Sequence, residues 1–589
     1  MQPATEREPV KADSRLGPRR LDWRLGAAAG LSAGLLELPF PLAGPMPPWR
    51  SVFAWFGLAP LIWAVLSQSC SEGPRPLRRA FLLAYVCGVL WFMGNCYWIY
   101  DTMLIHGGLP PAISLMILLL FSLVLGLYFG LFGWGLQLVR RATGSVRWAL
   151  VFAPFLWVAL ELTGARFTSV PWDQLGYSQV DNGILSLLAP WTGVYGISFV
   201  LVLVNSTFAG ALLLSKAAWS EELEFKFSNL IRSQKADSLS CGIAGASLFL
   251  TAISGLSYSA PNARTTATAV LIQPNLDVEN TGFWQGPGEW QQHMADFIKL
   301  GGEDCKTYIA GMPQTGAPQG EIVCPPYPTH PDLVLWPESP APFFEHDPRF
   351  QSSMADVARA EQAPMIVNGV GSDFDRETGQ WVDHVSAMVF DAQGNETGRY
   401  DKIHLVPWGE YVPYPRVFFF AKKLAGKVSA FTPGNDRKIF HLTDSKGTMH
   451  RYGIFICYEA VFGDEIRQFA KNGAEVFVTG SDDGWYGDTS APWQHLNMLR
   501  MRAIENRRWI LRGTNDGVTA AIDPYGRVRQ SIPRHKVDAL PAQFGYIDDT
   551  TFYTEHGDLF AWACVLVTAG VIVWAMSKRV SKSASQQAS

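Results

Sequence analysis

The sequence predicts a two-part protein: an α-helical transmembrane bundle of about eight spans and an α/β domain built on layered sheets. Three observations lead to this prediction. Long apolar runs are concentrated before residue 264, short β-branched runs alternate with polar helical stretches over 264–557, and lysine and arginine are distributed unevenly among the loops. Of the 589 residues, 48% are hydrophobic and 17% are charged, and that charged fraction is below the ~25% usual for soluble proteins.

Eight apolar segments are near the ~20 residues that a bilayer core requires. Seven lie within 25–263 and the eighth occupies 558–577, so the chain begins with a tail at 1–24 and ends with one at 578–589. For one or two segments, above all the short fifth, a buried core helix is the alternative. The predicted spans are 25–43, 51–68, 80–100, 112–138, 148–163, 184–214, 241–259 and 558–577.

The distribution of positive charge predicts the orientation of these spans. If 1–24 is cytoplasmic, the loops and tails on that side contain nineteen lysines and arginines, whereas the short loops on the other side contain only Arg50 and Arg166. Because lysine and arginine are enriched in cytoplasmic loops, we expect both termini to be cytoplasmic and 264–557 to lie outside. The polar segment before the first span shows no pattern of a cleavable signal peptide.

The segment 264–557 has the alternation of strands and helices that is typical of an α/β layered sheet. Strands are predicted at 266–273, 332–339, 364–370, 386–391, 452–459, 474–480, 509–515 and 519–523, and helices at 347–362, 460–472 and 491–507. The stretch 301–331 is rich in glycine and proline and is predicted to be an inserted loop. It contains Cys305 and Cys324, both predicted to lie outside the membrane, where a disulfide can persist. A bridge between them and two free thiols are both compatible with the sequence.

Three residues of this domain have side chains suited to covalent catalysis. Cys457 ends an apolar run before a helix-like segment, Glu338 lies at the end of an apolar strand just after a proline, and Lys402 lies in the segment RYDKIHLVPWGEYVP. A thiol held at a strand-to-helix turn has backbone N–H groups nearby that can receive an oxyanion. A carboxylate can take the thiol proton, and a lysine charge favours both thiolate and oxyanion. Considered one at a time, a cysteine, a glutamate or a lysine in such a position more often has no catalytic role.

Composition and motifs also exclude several classes of function. The formal net charge of −4 argues against a nucleic-acid partner. The sequence has no H-E-x-x-H motif and no paired C-x-x-C motif, and it has no phosphate-binding glycine loop. We therefore expect neither a metal nor a cofactor.

The motifs around the three residues resemble a known signature. WPES at 336–339, DKIHLVPWGEYVP at 401–413 and ICYE at 456–459 are similar to the Glu-Lys-Cys motifs of the nitrilase superfamily. The longer motif DDGWYGDTSAPWQHLNMLRMRAIENRRWILRGTNDG at 482–517, together with the flanking spans, resembles the apolipoprotein N-acyltransferase family, the membrane-embedded branch of that superfamily. The resemblance implies a nitrilase-like α-β-β-α sandwich for 264–557.

The resemblance also implies a role for each matching residue. Cys457 would be the acylated nucleophile, Glu338 the general base, and Lys402 a group that stabilises the tetrahedral oxyanion. Glu410 would be a second essential glutamate, Glu459 the acid beside the nucleophile, and the backbone N–H of Tyr458 an oxyanion donor. Trp284 would be a tryptophan of the substrate loop, and Trp290 is the alternative match for that role.

The function that the resemblance implies is acyl transfer in a bacterial inner membrane. A phospholipid would acylate Cys457, and the α-amine of the N-terminal diacylglyceryl-cysteine of an apolipoprotein would then accept the acyl chain, by ping-pong covalent catalysis. The catalytic domain would be periplasmic and the partners would be the two lipid-anchored substrates and the bilayer. Two motifs depart from the family pattern, Ser481-Asp482-Asp483 and Asn515-Asp516-Gly517.

Two other functions stay open at this point. A membrane-tethered amidase or nitrilase would use the same three residues but pass the acyl group to water. A transporter or channel with a soluble lid would need ionisable residues inside the spans, for which Glu37 and Glu161 are the main candidates, although both lie near span ends.

A mobile cover over the site is also predicted, at 411–433. This segment contains Phe418, Phe419 and Phe420 beside three lysines, a combination typical of surfaces that meet an anionic membrane. We expect these phenylalanines to contact lipid and to gate its entry. The alternative is an ordinary core helix.

Overall fold

A computed structural model describes residues 23–68, 75–218, 250, 254–255, 257–258, 260–278, 284, 288–302, 309–312, 328, 330–338, 341–377, 379–411 and 431–587. Several predictions fall outside these residues: nearly all of the N-terminal tail, most of the seventh span, the cysteines Cys305 and Cys324, and the phenylalanines Phe418, Phe419 and Phe420.

Six helical segments among the described residues are long and apolar enough to cross a membrane. They are Pro48–Leu66, Arg75–Asn95, Pro111–Thr143, Val146–Phe167, Val194–Leu213 and Leu559–Lys578, and they correspond to the second to sixth and the eighth predicted spans. The first predicted span contains a helix of 15 residues, Trp23–Glu37, which is shorter than a full crossing. The class of the bundle is therefore confirmed, and the count of eight spans stays a prediction.

The helices of the membrane part are α1 (Trp23–Glu37), α2 (Ala59–Leu66), α3 (Arg75–Asn95), α4 (Trp98–Ile105), α5 (Pro111–Thr143), α6 (Val146–Phe167), α7 (Ala189–Thr192) and α8 (Val194–Ala218), with 3₁₀ turns at Pro48–Trp55, Leu175–Gln179 and Leu185–Leu188. Helices α3 and α5 pack closely because the contact has small residues: a Cβ at Gly133 would lie 2.6 Å from the Cβ of Ala84. The outer face of α5 exposes a row of apolar side chains, as a lipid-facing helix does: Leu115, Met116, Leu119, Leu120, Leu123, Leu127 and Leu131.

The domain that follows contains two sheets. The strands of the first sheet are β1 (Ala267–Gln273), β3 (Leu333–Trp336), β4 (Met365–Asp375), β5 (Gln380–Phe390), β6 (Glu396–Asp401) and β13 (Asp538–Phe544). Those of the second are β2 (Ile309–Ala310), β7 (Ile439–Thr443), β8 (Met449–Ile456), β9 (Val476–Ser481), β10 (Trp509–Thr514), β11 (Thr519–Ile522) and β12 (Val528–Ile532). The six-stranded sheet has the order β13-β1-β3-β4-β5-β6, and the seven-stranded sheet has the order β2-β12-β11-β10-β9-β8-β7.

Side chains that alternate along the strands build two cores. Leu333 and Leu335 of β3 belong to the core between the sheets, whereas Val334 and Trp336 belong to the core under the helices α9 (Glu289–Gly301) and α10 (Pro348–Glu361). On the other side, α11 (Gly463–Lys471) and α12 (Ala491–Asn506) pack against the seven-stranded sheet. The layers are helix, sheet, sheet and helix, which confirms the predicted sandwich.

The sandwich rests on one end of the helical bundle. Helix α12 is buried along its whole length, and its Gln494 Nε2 donates to the backbone carbonyl of Asn95 at 3.0 Å. The N–H of Val194 donates to Glu505 Oε1 at 3.0 Å. After the sandwich, α13 (Phe552–His556) and α14 (Leu559–Gln587) return the chain to the bundle, so the two parts share an apolar core.

Candidate active site

Three strands position the three candidate catalytic residues. Glu338 follows β3 after Pro337, Lys402 directly follows β6, and Cys457 directly follows β8. Strand β8 is parallel to β9, so residues after β9 lie beside Cys457. The result is that side chains from both sheets converge at one edge of the sandwich.

Lys402 lies between two carboxylates. Its Nζ is 2.6 Å from Glu410 Oε1 and 3.3 Å from Glu338 Oε1, and its side chain is 0% exposed. Burial alone would lower the pKa of Lys402, but Glu338 and Glu410 reverse this effect and hold the pKa above its ordinary value. The ammonium therefore stays charged in the absence of solvent and can act on a negative charge that develops nearby.

Cys457 begins a 3₁₀ turn, Cys457–Val461, and its φ of +49° lies in the left-handed region. A non-glycine residue in that region is held there by its surroundings, as is common at active sites. The first N–H groups of such a turn have no partner within it, so the N–H of Tyr458 is free of the turn's own hydrogen bonds. The Tyr458 side chain points to the bundle, where its OH donates to the carbonyl of Ser169 at 3.0 Å.

Burial raises the pKa of the Cys457 thiol well above its ordinary value, Glu338 adds to this effect, and Lys402 opposes it. A thiol is a poor nucleophile until it loses its proton, so the site requires a base. Glu338 is close enough to influence the thiol electrostatically, and its Oε2 is held by the N–H of Asp482 at 3.1 Å.

A buried network that the sequence did not predict holds the carbonyl of Cys457. Nε2 of His495 is 3.0 Å from that carbonyl oxygen and donates a hydrogen bond to it. Nδ1 of His495 is 3.0 Å from Asp483 Oδ1, and Arg512 is 2.5 Å from Asp483 Oδ2. Burial would raise the pKa of Asp483, but Arg512 and His495 lower it to about 2. The network fixes the turned backbone of the nucleophile.

Comparisons with known proteins agree with this geometry. The family model for the apolipoprotein N-acyltransferase N-terminal domain matches residues 32–207, and the carbon-nitrogen hydrolase model matches residues 321–538. The apolipoprotein N-acyltransferase of Geobacter metallireducens is 31% identical over 565 residues, which cover 95% of this chain and 96% of that protein. The chain belongs to the apolipoprotein N-acyltransferase family.

Other relatives extend the comparison. The apolipoprotein N-acyltransferase of Chlorobaculum tepidum is 26% identical over 589 residues, which cover 94% of this chain and 100% of that protein. Among solved structures, a nitrilase-superfamily protein of Saccharomyces cerevisiae matches 51% of this chain and 97% of its own, with a TM-score of 0.31 and 13% identity. The resemblance drawn from the motifs is confirmed at the level of the family.

In this family member, the Glu459 carboxylate connects the loop that follows Lys402 to the strand that precedes Cys457. Its Oε1 accepts from the N–H groups of Ile403 at 2.7 Å and His404 at 3.1 Å, and its Oε2 accepts from the N–H of Ile456 at 2.7 Å. The OH of Tyr400 also donates to it, at 2.8 Å. The carboxylate ties the loop after Lys402 to the strand before the nucleophile, which is a positioning role.

We expect Glu459→Gln to weaken the fold and slow acylation of Cys457 together. The amide keeps one acceptor oxygen and turns an NH₂ group toward backbone donors, and an unsatisfied buried donor costs ~1–3 kcal/mol. Thermal unfolding in detergent and the rate of Cys457 acylation by a soluble thioester measure the two effects. Glu377→Gln, an exposed change in the β4–β5 turn, is the control. An unchanged melting temperature with a full acylation rate would contradict the bracing role.

The remaining predicted residues lie as follows. Glu410 holds Lys402 and accepts from the N–H of Val406 at 2.8 Å, so it fixes the lysine loop. Trp284 is 3% exposed and packs against Phe297 and Phe343, with ring centroids 5.9 Å and 5.7 Å away. Its predicted contact with substrate stays a prediction, as does that of Phe418, Phe419 and Phe420, which lie outside the described residues.

One group of side chains in the described part of the chain has the spacing of metal ligands: Asp373, His384 and Asp401. The guanidinium of Arg399 already pairs with both carboxylates, at 2.5 Å from Asp373 and 2.8 Å from Asp401. The positive charge that a metal would supply is thus provided by arginine.

Proposed function

We propose that this chain is an apolipoprotein N-acyltransferase that acts through a thioester on Cys457. It takes an acyl chain from a phospholipid and passes it to the α-amine of the N-terminal diacylglyceryl-cysteine of apolipoproteins, which completes lipoprotein maturation. The observation that carries the proposal is the strained, buried Cys457 beside the Glu338–Lys402 pair, on an edge of the sandwich that contacts the membrane bundle.

In the first half-reaction, Glu338 accepts the proton of the Cys457 thiol and the thiolate attacks the ester carbonyl of the phospholipid. The C–S bond forms, and the oxyanion is stabilised by the Lys402 ammonium and the N–H of Tyr458. The intermediate then collapses with cleavage of the ester C–O bond. The leaving alkoxide takes the proton from Glu338, and a lysophospholipid departs.

In the second half-reaction, the neutral α-amine of the apolipoprotein attacks the thioester carbonyl. Glu338 accepts a proton from the attacking nitrogen, and the same two donors stabilise the second oxyanion. Collapse breaks the C–S bond and leaves an amide. The proton on Glu338 returns to the sulfur, so the enzyme ends the cycle unchanged.

The position of the site suits two membrane-anchored substrates. Tyr458, next to the nucleophile, contacts Ser169 of the bundle, and Thr102 at the end of α4 donates to the carbonyl of Trp485 at 3.2 Å. This contact between the two parts supports a site that serves substrates whose lipid tails stay in the bilayer. This placement favours lipid substrates over the small soluble amides of a free hydrolase.

The experiment that tests the function uses purified enzyme, phospholipid labelled in its acyl chain and a diacylglyceryl-cysteine peptide. We expect label in an amide on the peptide, one lysophospholipid for each amide, and no labelled free fatty acid. A hydrolase would release labelled fatty acid with or without the peptide, and that result would overturn the proposal. Cys457→Ala is the matched control.

The proposed orientation places 264–557 in the periplasm and both termini in the cytoplasm of a bacterial inner membrane. Its support is the excess of lysine and arginine in the tails and alternate loops. Alkaline phosphatase, which is active only outside the cytoplasm, tests it. A fusion after residue 557 should be active and a fusion after residue 589 inactive, and the opposite pattern would reverse the orientation.

We also propose that Phe418, Phe419 and Phe420 gate lipid entry. Changing the three together to serine should slow acylation of Cys457 by phospholipid in a membrane and spare acylation by a short-chain soluble thioester, because only the first substrate enters the site from the bilayer. Initial rates with the two acyl donors test this. An equal fall in both rates would mean that these residues belong to the core.

A further inference from the structure

A cavity of about 80 Å³ lies within the membrane part, close to the end that contacts the sandwich. Aromatic rings line much of it, including Trp91, Phe129 and Trp157 from α3, α5 and α6, and two acids, Glu161 and Asp173, also border it. The space is several times the 10–15 Å³ that one water requires. It is therefore large enough for a small polar headgroup.

Asp173 is buried with one oxygen unused. The residue is 1% exposed and adopts a left-handed φ of +48° between α6 and α8. Its Oδ2 accepts from Asn95 Nδ2 at 3.0 Å, but its Oδ1 has no hydrogen-bond partner. A buried polar atom without a partner is costly, so a carboxylate oxygen that faces a cavity points to a ligand that donates to it.

A second carboxylate interacts electrostatically with Asp173. It belongs to Glu37, at the end of α1, and both of its oxygens are shielded from solvent. The Glu37 side chain fits against α3 because residue 94 is glycine: a Cβ there would lie 2.5 Å from Glu37 Oε1. Two interacting acids in an apolar environment stay charged together only when a cation compensates them, and otherwise at least one of them takes up a proton.

The cavity is linked to the nucleophile by buried hydrogen bonds. Asn95, which holds Asp173, accepts from Gln494 at 3.0 Å, and Trp172, the residue before Asp173, donates to Gln494 Oε1 at 2.8 Å. The next residue on α12, His495, is 3.0 Å from the carbonyl of Cys457. Asn95, Gln494 and His495 thus lie between Asp173 and the catalytic turn.

We propose that Asp173 binds a primary ammonium group of a substrate in this cavity. An ammonium supplies the missing donor to Oδ1, compensates the charge of Asp173 and is favoured by surrounding aromatic faces. The inference rests on the proposed function, whose substrates offer two sources of this chemistry. One is the headgroup of an ethanolamine phospholipid, and the other is the α-amine of the acceptor, which would dock at Asp173 as an ammonium before it loses its proton and moves to the thioester. Burial raises the pKa of Asp173 to about 7, against the opposing Asn95 contact. A bound cation would restore its charge.

The two half-reactions separate the two sources. In one arm, Asp173→Asn enzyme without acceptor is acylated by ethanolamine phospholipid or by glycerol phospholipid in detergent micelles. In the other arm, Cys457 is first acylated with a soluble p-nitrophenyl ester, and transfer to a diacylglyceryl-cysteine peptide is then followed. Asp101→Asn, which removes an acid of α4 that does not border the cavity, is the matched control.

A charge-assisted hydrogen bond lost on substitution weakens binding by about tenfold to a hundredfold. If the ligand is the donor headgroup, the KM for ethanolamine phospholipid rises by that factor and the KM for glycerol phospholipid is unchanged. If it is the acceptor amine, only the transfer arm slows. A selective loss in either arm, or in both, supports the proposal.

Two results overturn it. The first is wild-type behaviour of Asp173→Asn in both arms, which would mean that the acids share a proton or hold water. The second is an equal loss in every reaction, including acylation by the soluble ester, which would mean that Asp173 is only structural; Asp173→Ser should then show the same loss. Failure of the proposed function looks different, because the wild-type enzyme itself would then form no thioester.

Discussion

Cys457→Ser should abolish thioester formation and acyl transfer, with a loss of about 10⁴-fold or more, as is usual when the nucleophile of a covalent enzyme is removed. The site is adapted to a thiol: burial and Glu338 keep the pKa of Cys457 high, so deprotonation needs the full help of Glu338 and Lys402. A serine hydroxyl is far less acidic, and the same pair cannot ionise it to a useful extent.

The measurement is the transfer of labelled acyl chains to peptide under single-turnover conditions. Cys564→Ser is the matched control, because Cys564 is a buried free thiol on α14, away from the Glu338–Lys402 pair. The control should retain full activity. Turnover near that of the wild type in Cys457→Ser would remove Cys457 from the role of nucleophile.

Lys402→Met should reduce acylation of Cys457 by about 10²–10³-fold, the range found when one oxyanion donor is removed. The ammonium is buried 2.6 Å from Glu410 and 3.3 Å from Glu338. Without it, two carboxylates face each other, and one of them takes up a proton. The substitution therefore removes oxyanion stabilisation and also impairs the base.

The rate of acylation by a soluble thioester isolates this effect from lipid binding. Lys536→Met, at an exposed lysine of the same domain, is the control and should keep the wild-type rate. Thermal unfolding shows whether the Lys402 variant is folded. A fall of less than tenfold in a folded, membrane-inserted variant would contradict the assigned role.

Much of the sandwich was predictable because its strands are short apolar runs that end in turns. All eight predicted runs coincide with strands, and Glu338 and Cys457 were predicted at strand ends, where β3 and β8 place them. Strands β6, β7, β12 and β13 carry more polar or mixed residues and were missed. The two-residue strand β2, which pairs with β12, was also missed because it lies in the stretch 301–331 predicted as a loop. The pairing of Lys402 with Glu410 was also missed, because it depends on how one loop folds back on itself.

Other features depend on contacts between distant parts of the chain. His495 lies in a segment predicted as a helix, but nothing local shows that it reaches the carbonyl of Cys457. Asp483 stands in a motif that departs from the family pattern, and its partner Arg512 is on another strand. Asp173 meets Asn95 only because α3 ends beside the loop after α6. The short helix α4 was also missed, because its eight residues are too few to stand out from the predicted span before it.

The central claim is that a phospholipid acylates Cys457, and the intact mass of the enzyme tests it most directly. The protein is incubated with phospholipid in the absence of acceptor and weighed by mass spectrometry, and its peptides are then mapped. We expect a single acyl adduct on Cys457 that diacylglyceryl-cysteine peptide removes and that Cys457→Ala never forms. An adduct on another residue, or free fatty acid released from an enzyme that stays unmodified, would contradict the account.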